Sequence, residues 1–355
     1  MRVLAFGTYQ RDYPRNAQVR SCLRAAGVDV SEQHVPVWDD RRDGWRVGLA
    51  DLPRLVAAEL RLARARAEGA DALLVGYPGH LDLLAARRAA RGRPVVFDPL
   101  VSLYDTLVAD RGRFRPGSLG GHALDVADRR AFALADVVVA DTAAQASFYR
   151  ERFGLSNERL RVCLVGAEDR LFRPGTPADG PFHALFVGKL IPLHGLGTIL
   201  AAARLLPEIP FRIVGSGQHA RELDTAPANV HHVPWLDYEH LPAAFAGAGC
   251  ALGIFGTSAK ASRVIPNKAY QALACGAPLV TADTPAIREL LHDRVDALLV
   301  PPGDAPALAD AVRSLAADRA SALRIGLAGR ATYERMASEA VLGATWRGIF
   351  EEIAR

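Results

Sequence analysis

Lysine is almost missing from this chain. Of its 43 basic residues only three are lysine, Lys189, Lys260 and Lys268; the rest are arginine. So strong a bias reads as GC-rich coding, which replaces Lys by Arg wherever either serves. The survivors therefore mark places where a compact point charge matters and a planar fork does not fit. All three fall in two glycine-containing stretches of the C-terminal half, and we expect them to hold a diphosphate. Cysteine is also scarce. Cys22, Cys163, Cys250 and Cys275 show no close pairing, which argues against a Cys-x-x-Cys metal or redox motif and favours buried free thiols in a reducing compartment. No metal site is expected. No apolar run approaches the roughly 20 residues of a spanning helix, and the start of the chain reads as a strand, not a signal peptide. The expected location is cytoplasmic, at most peripheral at the inner membrane face. The basic residues are dispersed and not interleaved with aromatics, which argues against nucleic acid. Residues 1–173 carry 27 arginines against 22 acids. That balance suits an anionic partner or membrane face, and equally ordinary solvated arginine-rich helices.

What is present is an alternation of short apolar runs and longer helical segments. In the first half the pattern predicts strands over 3–6, 28–30, 72–75, 95–97, 137–140 and 161–164. Helices are expected over 15–26, 52–67, 81–90, 123–135 and 143–152. A Pro/Gly-rich stretch at 174–181 reads as a linker. The pattern then restarts, with strands over 184–187, 211–214, 230–233, 250–255, 279–282 and 297–300. The helices of this half are expected over 197–206, 238–246, 266–274, 285–291, 305–315 onward and 338–354. Such alternation implies parallel sheets with helices on both faces. We expect two doubly wound Rossmann-like domains, 1–175 and 182–337, facing across a cleft, with the last helix crossing back onto the first domain. Ligands of open α/β sheets bind beyond the carboxyl ends of the strands, where the glycine loops at Gly7, Gly188, Gly215, Gly217 and Gly256 lie.

Two stretches carry the chemistry. Gly188-Lys189 follows a strand directly, with His194 and Gly195 after it: glycine lets backbone approach a ligand, and lysine supplies charge. A solvated strand–turn–helix would read the same way. In the second stretch a helix opens at Pro266-Asn267-Lys268, with Lys260 and Arg263 just before it. Cations at a helix N-terminus oppose its dipole, and an anion bound there would resolve the conflict.

At this point the second half resembles the donor domain of GT-B glycosyltransferases, in particular the large retaining family 4. The similarity rests on residues 186–195, on Gly215-Ser-Gly217, on the segment from Asn267 to Pro278, and on 285–303 with Glu289. It is good over 184–315 and weaker over 1–173. The resemblance implies sugar transfer from a nucleotide-diphosphate donor, a UDP- or GDP-sugar, with retention and without a metal or other cofactor. Lys189, His194, Lys260, Arg263, Asn267, Lys268 and Gln271 would hold the donor, and Trp235 and Leu236 would flank its base; Trp235 as a core residue stays open. The sequence also departs from the family. Its two glutamates, with seven residues between them, fall on Arg263 and Gln271, its second loop lysine on His194, and a first-domain histidine on Asp98. Gln271 still offers donors and acceptors to a ribose.

On the acceptor side the polar loop after the first strand supplies Thr8, Tyr9, Tyr13 and Arg15, and later strand ends supply His80, Asp98 and Asp105. Asp98 is the leading candidate for contacting a sugar and so joins Lys189 and His194 as a catalytic candidate. A structural hydrogen bond is the alternative for Asp98 and His80. The acceptor, whether glycan, lipid or small metabolite, is not readable. Two other functions share this fold: a nucleotide-sugar 2-epimerase, and a non-catalytic nucleotide-sugar-binding partner of another transferase.

Overall fold

The computed structural model describes residues 1–38, 51–175 and 180–354. Two compact units emerge, Met1–Leu164 with Glu339–Arg355, and Val165–Ser338. The first contains β1 (Arg2–Gly7), α1 (Pro14–Ala25), β2 (Asp29–His34), α2 (Leu52–Leu62), β3 (Ala72–Val75), α3 (Leu83–Ala90) and β4 (Val95–Phe97). A π-helical turn (Asp105–Asp110) follows, then α4 (Leu119–Leu134), β5 (Val137–Ala140), α5 (Ala143–Phe153) and β6 (Leu160–Val162). The second unit contains β7 (Ala184–Val187), α6 (Leu196–Arg204), β8 (Phe211–Val214), β9 (Val230–Val233), α7 (Leu241–Ala246) and β10 (Cys250–Leu252). It continues through α8 (Asn267–Ala274), β11 (Leu279–Ala282), β12 (Leu298–Val300), α9 (Ala305–Ala317) and α10 (Arg319–Met336). Helix α11 (Glu339–Ile353) returns to the first unit.

Each unit is built on a six-stranded parallel sheet, ordered β2-β1-β3-β4-β5-β6 and β12-β11-β10-β7-β8-β9. The central strands β3, β5 and β7 are four-residue apolar runs with every residue buried. Period-two alternation sends their side chains into two cores: Leu73, Val75 and Val138 into one, Ala72, Leu74 and Val139 into the other. Polar β2, Asp-Val-Ser-Glu-Gln-His, is left at an edge. In the second unit the chain starts at β7, winds out through β8 and β9, and returns to β10 on the other side. The winding reverses between β7 and β10, and in the first unit between β1 and β3. Open sheets bind ligands at such points.

Several boundaries differ from expectation. Helix α4 starts at Leu119, ahead of the expected 123, because Ser118 accepts the Gly121 N–H as its cap. Strand β10 stops at Leu252 instead of 255: Gly253 lies under Thr281, where a Cβ would meet Oγ1 at 2.2 Å. The helix expected over 285–291 is a single 3₁₀ turn (Ile287–Glu289), started by Thr284 Oγ1 accepting the Ile287 N–H at 3.2 Å. Helix α2 ends at Leu62, short of 67. The chain passes between units at Leu164–Val165, ahead of the Pro/Gly stretch, because fully buried Phe172 packs against Tyr238 and Phe245. Of that linker, residues 176–179 lie outside the described residues. Among the described residues no helix is long and apolar enough to cross a membrane.

Helix α11 lies on α1 at close range. A Cβ on Gly343 would sit 2.5 Å from Cys22 O, so only glycine allows the approach. Trp346 and Phe350 then enter the core with Val19, Cys22 and Leu23. Trp346→Ala should cost about 3–5 kcal/mol, read as a lower urea midpoint for the first unit. An unchanged midpoint would show that α11 adds no packing.

Candidate functional site

The loops after β7, β8 and β10 converge at the switch point of the second unit. The Leu190 N–H donates to Ser216 O at 2.9 Å, and the Phe255 N–H to His194 O at 3.1 Å. Gly215 has φ 130°, and a Cβ there would lie 2.1 Å from Gly188 O. No other residue permits that contact. A Cβ on Gly217 would likewise meet Leu190 O at 2.6 Å. Gly215 and Gly217, expected among the donor contacts, thus face the neighbouring loop and shape the site at one remove.

Gly188 faces the other way, into a small group of side chains. A Cβ on it would lie 2.9 Å from Lys268 Nζ and 3.3 Å from His194 Cε1. Lys268 comes from the first turn of α8, which Pro266 precedes and no side chain caps. Its amine lies 4.3 Å from the centre of the Phe186 ring, is 6 % exposed as a residue, and has no hydrogen-bond partner. Burial pushes this lysine well below its ordinary value. A buried amine with only an aromatic face beside it is costly unless something brings compensating charge. His194 Nδ1 contacts Lys189 O. A carbonyl only accepts, so Nδ1 carries the hydrogen. The His194 ring also meets Phe186 edge-on, with centroids 5.6 Å apart.

The remaining donor candidates gather unevenly around this point. Lys189 is half-buried and Lys260 buried. Arg263 ends the short turn (Ala261–Arg263) that leads towards α8, and Asn267 opens that helix. Gln271 is buried, and its Nε2 donates to Tyr238 Oη at 3.4 Å. Burial and the neighbouring Glu168 carboxylate push the Tyr238 phenol up. Glu168 and Tyr238 were missed in the sequence, because only the fold brings them to Gln271. Trp235 is 55 % exposed and donates to Asp237 Oδ1 at 2.9 Å, which excludes the core reading; Leu236 beside it is half-buried.

In the first unit most of the expected acceptor-side residues are committed internally. Arg15 Nε and Nη2 reach both oxygens of Asp98 at 2.8 and 3.1 Å, and its Nη1 donates to Leu164 O at 2.7 Å. Asp98, expected to meet a sugar, is 2 % exposed and forms a structural pair instead. Buried His80 lies 3.1 Å from Val101 O and 3.4 Å from Asp128 Oδ1, and burial pushes its imidazole below the usual value. Tyr9 donates to Glu32 Oε2 at 2.7 Å, while half-buried Tyr13 packs on Tyr77 with ring centres 4.8 Å apart. Asp105 is buried and opens the π-helical turn, where its N–H donates to Ser102 Oγ at 3.1 Å. Thr8 donates through N and Oγ1 to Asp82 at 2.7 and 3.0 Å. Asp82 also sits where a Cβ on Gly7 would be, 2.2 Å from its Oδ2, so Gly7 is needed by a carboxylate of its own unit. Burial and the adjoining Asp82 push the Glu59 carboxyl up to about 9, so it stays protonated at neutral pH. Among the described residues no group of three or more His, Cys, Asp or Glu could hold a metal ion.

Residues 181–318 match the family model described as Glycosyl transferases group 1. The chain is 28% identical over 214 residues to the amylovoran biosynthesis glycosyltransferase AmsK of Erwinia amylovora, covering 57% of this chain and 53% of that protein. It is 28% identical over 230 residues to a D-inositol 3-phosphate glycosyltransferase of Nocardia farcinica, covering 57% and 50%. The chain thus spans about half the length of these curated relatives. Among solved structures it is similar to sucrose-phosphate synthase from Thermosynechococcus elongatus, with a TM-score of 0.76, 18% identity and 99% of each chain covered. It is also similar to Anabaena HepE in complex with UDP-glucose, with a TM-score of 0.71, 17% identity, and 99% and 100% covered. These likenesses show the GT-B fold.

Two outcomes follow from the buried charges. Lys268→Met keeps the apolar stem and removes the amine, so the ligand-free protein should gain about 1–3 kcal/mol, or about 2–4 °C in midpoint per kcal/mol for a unit of this size. The folded lysine binds its proton more weakly than the unfolded one. The gain should therefore shrink as pH rises towards the ordinary lysine value, above which the unfolded chain is also neutral. Thermal melts at two pH values check both points; an unchanged or lower midpoint would show the amine to be compensated. Arg15→Met strands Asp98 and should cost about 3–5 kcal/mol. Adding Asp98→Leu should recover most of it in a chemical denaturation series, and no recovery would show that the pair is not what holds the site.

Proposed function

We propose that this protein transfers a sugar from a nucleoside-diphosphate donor to an acceptor nucleophile, with the donor held by the second unit. The observation that carries the reading is the meeting of Gly188, His194 and a buried, unpartnered lysine beside the start of α8, within a glycosyl transferases group 1 domain. Phosphate needs positive charge, close backbone and helix N–H groups, and this corner offers all three. HepE, which shares the fold, has been captured with UDP-glucose; a UDP- or GDP-sugar is the donor class we assign here. Lys189, His194 and the α8 terminus stabilise the departing diphosphate electrostatically, with no step assigned to a metal. Exposed Trp235 and Leu236 flank the base, and Gln271 meets the ribose. Transfer proceeds with retention in this reading. The class of the acceptor is open.

Binding of UDP, GDP, ADP and TDP, followed by thermal shift on wild type and Lys189→Ala, tests this. A nucleotide at 100 times its dissociation constant adds about 2.7 kcal/mol. One of the four should stabilise wild type and fail on the variant. Silence from all four would remove the donor site and leave only the fold. Stabilisation without sugar transfer across an acceptor panel would turn the reading into a binding partner of another transferase.

A further inference from the structure

Most buried ionisable groups noted above have a partner: Arg15 has Asp98, His80 has Asp128, and Glu59 hydrogen-bonds Asp82. Lys268 does not. Its Nζ has no hydrogen-bond partner, lies 4.3 Å from the centre of the Phe186 ring, and belongs to a residue more than nine-tenths buried. It also lies against Gly188: a Cβ there would sit 2.9 Å from Nζ, so the missing side chain leaves room for the amine. Packing alone does not explain a lysine here, since methionine would fill the same space without an amine to desolvate.

We propose that Lys268 is the cation reserved for the donor's diphosphate, and that it binds that anion by taking up one proton from solvent as the anion arrives. The inference rests on the donor-site reading and adds its electrostatics. In the free protein the amine is buried and has no hydrogen-bond partner, which favours its neutral form. The titratable group facing it is His194, from the loop after β7; the ring between them, Phe186, is neutral. A diphosphate at Gly188 brings negative charge within a few ångströms and favours the ammonium form. The proton moves from solvent to Nζ and no covalent bond to the ligand forms. The coupling has a sign. Binding that takes up a proton weakens as pH rises, by about tenfold per pH unit between the free and bound lysine values.

The test is titration calorimetry of UDP, GDP and inorganic pyrophosphate into the full chain, in buffers of different ionisation enthalpy at one pH. Wild type should take up close to one proton per ligand bound. Lys268→Met should take up none and bind roughly ten- to a hundredfold more weakly. In parallel, the lysine Cε resonances of ¹³C-lysine-labelled wild type can be followed. Only three lysines exist, so Lys189→Arg and Lys260→Arg assign them, and the result does not depend on the methionine variant folding. The Lys268 resonance should sit at the neutral-amine position in the free protein and move to the ammonium position with pyrophosphate or with the nucleotide that binds. Binding without proton uptake, and with an unmoved Lys268 resonance, would overturn the proposal and leave the donor site standing. No binding of any of the three ligands would remove the donor site and the proposal with it.

Discussion

The second unit depends on backbone meeting backbone at the carboxyl ends of β7, β8 and β10. Gly215 can approach Gly188 O only because it carries no Cβ, and Gly256 comes close to Leu193 O, where a Cβ would lie at 2.4 Å. Loops held this tightly leave little room for side chains above the middle of the sheet. The space beside Gly188 is filled from one direction by the stem of Lys268 and from another by the His194 ring. The reversal of winding between β7 and β10 places this corner where an α/β sheet opens to a ligand. The glycines thus act mainly by positioning loops, and those loops position the charge.

Buried charge is handled in opposite ways in the two units. The first unit neutralises it internally. Asp98 is clasped by Arg15, whose guanidinium also lies 5.4 Å over the Trp346 ring and so ties strand β4 and α1 to α11. Such pairs hold parts of the chain in register and are weak signs of function. The second unit leaves an amine without a counter-ion. Such an arrangement costs stability, and on the reading proposed above an anion would offset that cost. Sites that need a perturbed ionisable group are where such imbalance is expected.

Gln271 sits on the same helix as this lysine. Gln271 does not stand alone: it meets Tyr238, whose hydroxyl lies against Glu168. A carboxylate therefore reaches this region through a phenol and an amide, supplied from a segment just after the crossing between units. A polar chain of this kind can orient a hydroxyl-rich ligand without setting negative charge beside a diphosphate.

Much of the architecture was legible in the sequence, for a physical reason. Strands β3, β4, β5, β7, β8, β9 and β11 have the bounds expected of them, since most strands of a two-sided parallel sheet are short apolar runs. The scarcity of lysine pointed to residues 189, 260 and 268 before any coordinates, as did the conflict of cations with the start of α8. Tertiary structure decided the rest. Arg15 meets Asp98 across 83 intervening sequence steps, and Tyr333 donates to Ala167 O at 3.1 Å across 166, a contact that helps place the unit boundary before the proline-rich stretch. Neither pairing has a local signature. The same holds for the three lysines: their rarity is written in composition, but only the fold sets Lys268 of α8 over Phe186 of β7 as a buried amine with no hydrogen-bond partner.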